Sequence, residues 1–318
     1  MATAKNRAID LIRSDEVRTR HLARLRIEDE RIVLILRFLS GLTTAEVAAG
    51  FLIETATMQQ RIVRAKQRIL KTGIPFGRPA PAELGDRLPG VLRVLYLIFT
   101  QGINATAGPA HTRVDLQHEA IRLARLLVGY LPEQTEARGL LALLLLTRAR
   151  ETARVTPDGQ PVPLAEQDRS LWDSRLIAEG IGLVDVAAGE PGAGAFTIQA
   201  AIAALHADAA RFVDTDWKQI LLLYRVLSGL DPSPVVALNT AIVLGRVSGP
   251  EAAMSALDQL ADDTKLLRYR PFHIARAITL DELGRTAEAE DAYAAGLECP
   301  GNDAESEYIT ARITELRR

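Results

Sequence analysis

The chain has 318 residues, 48% of them apolar, enough for two or three ordinary domains with filled cores, which excludes a disordered polymer. Its formal net charge of −2 hides an asymmetry: residues 55–78 carry Arg61, Arg64, Lys66, Arg68, Lys71 and Arg78 without one Asp or Glu, so any contact with a polyanion is expected at that end. One cysteine, Cys299, excludes an internal disulfide and offers no zinc site of the usual type, so no metal or cofactor is expected. The N-terminal residues lack an apolar signal core, and the longest apolar run, Leu140 to Leu146, is too short to span a bilayer. A cytoplasmic protein without membrane association is the expectation.

In chain order, residues 28–40 read as a helix with Ile32, Ile35, Leu36 and Leu39 on one face, ended by Gly41. Thr43 or Thr44 can cap a short second helix, with Glu46 near its first turn and Val47, Ala48 and Phe51 as its buried side. A turn at Leu52 to Glu54 leads to a longer helix, capped by Thr55 and running through Leu70. Its Met58, Ile62, Ala65 and Ile69 recur at three- and four-residue spacing. That spacing turns Gln59, Gln60, Arg61, Arg64, Gln67 and Arg68 to other faces. Such a helix suits a major groove, where Gln pairs with adenine, Arg with guanine, and further cations neutralise phosphates. An amphipathic helix with a solvated basic face has the same charge pattern, and the preceding Thr44-Ala45-Glu46-Val47-Ala48 favours the DNA-reading alternative.

Breaks fall at residues 73–81, 156–163, 189–194 and 231–234, where Pro and Gly cluster. Between and beyond them, after an apolar segment from Leu92 to Phe99, helices are expected at about residues 116–130, 134–150, 171–188, 197–207, 216–229, 234–247, 250–260, 270–283, 286–298 and 303–317. The fold class is therefore all-α, with a solenoid-like array after the helix-turn-helix. Near the C-terminal end, Ala241, Leu244, Gly249 and Ala252 recur as Ala277, Leu280, Gly284 and Ala287. This offset of about 35 residues is close to the tetratricopeptide period.

Gly41-Leu42-Thr43-Thr44-Ala45-Glu46-Val47-Ala48, with Thr57-Met58-Gln59-Gln60-Arg61-Ile62-Val63-Arg64-Ala65-Lys66, resembles the −35-reading region 4 of extracytoplasmic-function RNA polymerase sigma factors. The likeness is to the subgroup with a long C-terminal tetratricopeptide-like extension. It continues through Tyr96-Leu97-Ile98-Phe99, Trp172-Asp173, Gln199 to Ala204, Thr215-Asp216-Trp217 and Pro232 to Asn239. The resemblance implies promoter DNA and core RNA polymerase as partners, with Thr44, Thr57, Gln59, Gln60, Arg61, Arg64, Lys66 and Arg68 on the DNA. Of the promoter-melting region 2, only residues 4–13 resemble a part, its final helix, so promoter melting by these 318 residues alone is not expected. The implied layout is a region 2 remnant and linker over residues 1–26, a helix-turn-helix over 27–73, a helical extension over 74–230 and tetratricopeptide-like repeats over 231–318.

Other constellations read as structural. His111, Asp115 and His118 have spacing that one helical face could bring together, but capping and solvation at a helix start explain them. His206 and His273 read as core or interhelix histidines; Trp172 and Trp217, beside Asp173 and Asp216 near helix starts, could mark a ligand groove, but packing aromatics next to capping Asp residues explain both. The Gly-rich stretch 189–194 lacks the Lys-Ser/Thr ending of a phosphate loop, and no nucleophile elbow is present, so an enzyme is not expected. The function expected is a sigma-like transcription initiation protein whose helical extension regulates it. The competing reading is a helical-repeat scaffold, with a protein or peptide partner on the array, that has lost sigma activity.

Overall fold

The computed structural model describes residues 29–72 and 84–318. The residues expected to form a region 2 remnant and linker, and the break at 73–81, lie outside them. The described residues are all helical in their regular structure, with one isolated antiparallel bridge, Val155 to Pro161, and no strand. Contacts divide the chain into a first unit, Met1–Ala48 with Glu54–Val94, and a second, Ala49–Ile53 with Leu95–Arg318.

The first unit contains helix α1 over residues 29–38, most of α2 (Thr44–Gly50) and α3 (Thr55–Thr72). Ile32, Val33 and Leu36 of α1, Leu42 just before α2, Val47 and Ala48 of α2, and Met58, Ile62 and Ala65 of α3 are all buried, so each of the three helices withdraws an apolar side from solvent. Leu39, expected on that core face, is 81% exposed. The helix ends at residue 38, and Gly41 at φ +72° lets the Leu42 N–H reach back to the Leu36 carbonyl at 3.1 Å, so Leu42 takes the buried place. Thr43 Oγ1 accepts from the Glu46 N–H at 3.2 Å, and Glu46 Oε2 accepts from the Thr43 N–H at 2.6 Å, a complete capping box at the start of α2. Thr55 is the first residue of α3 and not its cap; the first helical bond runs to the Glu54 carbonyl.

Helix α4 (Leu84–Ile103) contains the division between the units and tolerates Pro89 early in its length. The second unit continues with α5 (Val114–Tyr130), α6 (Thr135–Arg148), the single turn α7 (Glu151–Arg154), α8 (Ser174–Ala188) and α9 (Ala195–Asp208). It ends with α10 (Trp217–Leu230), α11 (Pro234–Ser248), α12 (Pro250–Asp258), α13 (Arg270–Glu282), α14 (Thr286–Leu297) and α15 (Asp303–Leu316). Asp173, Asp216, Ser233 and Asn302 each cap the helix that follows through a side-chain oxygen.

Helix α6 is the axis of this unit. Every residue from Gly139 to Leu146 is buried, as a helix apolar on all sides must be. It packs on α5, α8 and α9. Gly139 lies so close to α9 that a Cβ there would meet Thr197 Oγ1 at 2.4 Å and the Thr197 backbone N at 2.7 Å. One turn earlier, the Glu136 carboxylate accepts the backbone N–H groups of Gly194, Phe196 and Thr197 at 2.9–3.0 Å, and the Thr197 hydroxyl at 2.6 Å. Thus α6 caps α9 from outside, placing a negative charge on the positive end of its dipole.

Apolar clusters then follow in chain order, one spanning α6, α8 and α9, the next α9, α10 and α11, and further ones α11 to α14 and α13 to α15. The hairpins α11–α12 and α13–α14 each turn at a glycine of positive φ, Gly249 at +94° and Gly284 at +70°. The array does not simply run on as an open solenoid. Asn302, wholly buried, donates from Nδ2 to the Ala105 carbonyl at 2.8 Å and to Asn104 Oδ1 at 3.3 Å, while the Asp303 N–H reaches the Gly108 carbonyl at 3.1 Å. The start of α15 is thereby fixed to the loop between α4 and α5.

Gly139→Ala should lower stability by roughly 1–3 kcal/mol, because a backbone neighbour cannot yield as a side-chain end can. Gly129→Ala on α5, where the added methyl meets open space, should be neutral or stabilise by up to about 1 kcal/mol. Urea unfolding of the two variants beside the parent checks the contrast. Asn302→Ala should cost about 2–4 kcal/mol, since it removes a cap and strands buried groups, and faster amide hydrogen exchange at residues 104–113 should accompany it.

Candidate nucleic-acid interface

Helix α3 has no acidic residue along its length, so nothing on it neutralises its basic side chains. Met58, Ile62 and Ala65 hold it to the core at 0%, 7% and 1% exposure, and this fixes which side faces out. Gln59 and Gln60 are exposed and, with Ala56, Val63 and Arg64, line a shallow open depression on the outer side. The Arg64 Nε donates to the Gln60 carbonyl at 3.4 Å, one turn back. Thr57, Arg61, Arg64 and Arg68 follow one another at spacings of four, three and four, which aligns them along one flank; all are exposed except the half-buried Arg61.

The sequence-derived set therefore divides into four, of which Thr57 and Arg61, on the flank, are one. Gln59, Gln60 and Arg64 share the open depression. Lys66 and Arg68 are drawn toward α1: the Lys66 Nζ stands 4.1 Å from the Phe38 ring centroid, and Arg68 pairs with Glu30 at 2.9 Å. Thr44 lies half-buried in the first turn of α2, on a different helix from the rest. The pair of Arg68 and Glu30 is solvent-accessible and of the kind worth little, so a phosphate can compete for the guanidinium. Two further side chains belong to this surface. Phe38, half exposed, seats the Lys66 ammonium, and Val63, also half exposed, lines the depression with Gln59, Gln60 and Arg64. The exposure of Val63 follows from the spacing of Met58, Ile62 and Ala65, whereas the place of Phe38 does not.

His111, Asp115 and His118 each engage a different partner. His118 accepts from Arg148 at 2.9 Å, Asp115 pairs with Arg113 at 2.8 Å, and His111 is buried beside the Asn302 amide. His111 is thus not the solvated residue that its sequence position suggested, because Asn302 at the start of α15 covers it together with Ala105. Burial, with the charge of Arg154 behind it, pushes its imidazole down to about 4. No group of His, Cys, Asp and Glu fit to hold a metal occurs among the described residues, and no helix there is long and apolar enough to cross a membrane.

Residues 28–69 match the family model described as Sigma-70, region 4, and residues 87–188 match one described as Family of unknown function (DUF6596). No solved structure matches the chain significantly. An uncharacterized protein of Rhizobium meliloti (strain 1021), R00370, is 42% identical over 287 residues, covering 90% of this chain and 67% of that protein. The chain belongs to the same family as this relative, a sigma-like family in which the present member joins a sigma-70 region 4 domain, with its DNA-binding helix-turn-helix, to an all-helical array.

Proposed function

We propose that the protein takes part in transcription initiation, binding −35-type promoter DNA through its helix-turn-helix and engaging core RNA polymerase, with the array regulating its availability. The observation that carries this reading is the acid-free α3, anchored by Met58, Ile62 and Ala65 and presenting Gln59, Gln60 and Arg64 together within a region 4 domain. Gln and Arg side chains on one outward surface suit adenine and guanine edges in a major groove. The flank of Thr57, Arg61 and Arg68, together with Lys66, suits the adjoining phosphates. Thr44, at the start of the preceding helix, is positioned for a backbone contact of the kind helix N-termini make. In this reading the protein is a transcription factor and not an enzyme, and residues 231–318 form tetratricopeptide-like repeats that contact a protein or peptide.

A second reading is favoured by the engagement of Lys66 with Phe38 and of Arg68 with Glu30. Cations that hold α3 against α1 serve the domain itself, as they would in a helical scaffold that has left promoter recognition behind.

Selection of the full chain against random duplex DNA at near-physiological salt, followed by sequencing, separates the two readings. An enriched motif is expected, and absence of enrichment would support the scaffold. On the enriched duplex, Arg64→Ala should weaken binding by roughly 1–3 kcal/mol and relax preference at one base position. Lys66→Ala should weaken all sequences alike and reduce the slope of log K against log salt by about 0.9. Equal loss of sequence preference in both variants would contradict the assignment of the two roles.

A further inference from the structure

The second unit contains a concentration of donors without acceptors. Arg150 and Arg154 lie one turn apart about α7, which packs on the one-turn helix Arg169–Leu171 that Trp172 follows. The guanidinium carbons of Arg150 and Arg169 stand 5.2 Å and 4.6 Å from the Trp172 ring. Arg169 also donates to the carbonyls of His206 and Ala209 at 2.5 Å each, which brings the end of α9 to the same place. Three buried nitrogens on these elements have no hydrogen-bond partner: Trp172 Nε1, Arg154 Nε and His206 Nδ1. The first two can only donate, and Trp172 is 6% exposed.

The carboxylates that act on these charges, Glu151 and Glu305 on Arg154 and Asp214 on Arg169, are each engaged by another arginine, and none acts on Arg150. Glu151 is paired with Arg148, Glu305 with Arg270, and Asp214 with Arg211 through two hydrogen bonds. Arg150 makes its one side-chain hydrogen bond to a neutral partner, Gln167 Oε1, at 3.3 Å. Burial first, and then the charges of Arg154 and Arg169, hold the Arg150 guanidinium down to about 9. Burial and the charges of Arg150 and Arg169 push His206 down to about 4, so that its imidazole is neutral near pH 7. Crowded cations in a part-buried site stabilise any anion that joins them, and the unpaired N–H groups lack what an anion supplies, oxygen acceptors.

We propose that Arg150, Arg154, Arg169 and Trp172 form a binding site in the array for a small oxyanion, a phosphate or carboxylate group of a small molecule. Arg169, tied to two carbonyls, fixes the wall of the site, while Arg150, Arg154 and the Trp172 N–H face the ligand. The site lies in the second unit and is independent of the DNA-binding assignment.

Isothermal titration of the full chain with inorganic phosphate, pyrophosphate, sulfate, succinate and citrate, at constant ionic strength, tests the proposal. Saturable 1:1 binding of at least one anion is expected, with a rise in Tm that sodium chloride at the same ionic strength does not give. Ranking of the tetrahedral anions against the carboxylates identifies which group the site prefers. Arg150→Gln and Arg154→Gln should each weaken binding roughly tenfold or more while leaving the ligand-free Tm unchanged or higher, because each relieves like-charge crowding. Trp172→Phe, which retains the ring beneath the arginines, should weaken binding several-fold. Should the arginine variants fail to fold, the parent titration and Trp172→Phe still decide. Absence of saturable binding by every anion, or unchanged affinity in these variants, would overturn the site and leave its donors to water.

Discussion

The array is organised by the requirement that α6 be buried on every side. A helix carrying Leu140, Leu141, Leu143, Leu144, Leu145 and Leu146 in succession has no face to show to water. Each such side chain contributes about 1.5–3 kcal/mol when removed from solvent. Helices α5, α8 and α9 supply the covering. A helix surrounded this closely leaves little room at its crossings, hence Gly139 against Thr197 and Gly180 of α8, where a Cβ would meet the Leu146 side chain at 2.6 Å. Polar groups are admitted on the same terms: Glu136 enters with each carboxylate oxygen bonded, and its charge lies where the dipole of α9 favours it.

Most of the helices were legible in the sequence because their apolar spacing is local information. The expectation of 286–298 meets α14 at Thr286–Leu297, and 134–150 meets α6 at Thr135–Arg148. What the spacing could not carry lies where distant residues decide. Pro89 obscured the first turns of α4, and α7 with the one-turn helices is too short for any period to register. His111 looked solvated because its cover, Asn302, lies 191 residues away. Leu39 fitted the apolar period of α1 but fell beyond its last turn, where Leu42 displaced it.

The outer surface of α3 shows the same division. Which side of α3 faces outward follows from Met58, Ile62 and Ala65, so the exposure of Gln59, Gln60 and Arg64 was readable in advance. The engagement of Lys66 by Phe38 and of Arg68 by Glu30 was not, because it depends on how α1 crosses α3. A basic stripe read from sequence counts every cation alike. Packing sorts them into those that reach outward and those already in contact with another helix.

Asn302 carries a consequence for how the chain is made. Its amide joins α15 to the loop after α4 across 197 residues, so that bond cannot form until all the intervening chain has been made. Helices α5 to α14 can assemble by neighbour contacts as they leave the ribosome, but Ala105 and His111 must wait, uncovered, until Asn302 has emerged. A nascent chain that stops short of Asn302 thus bears a visible mark, an unsealed seam between its early and late helices, on which cellular quality control can act.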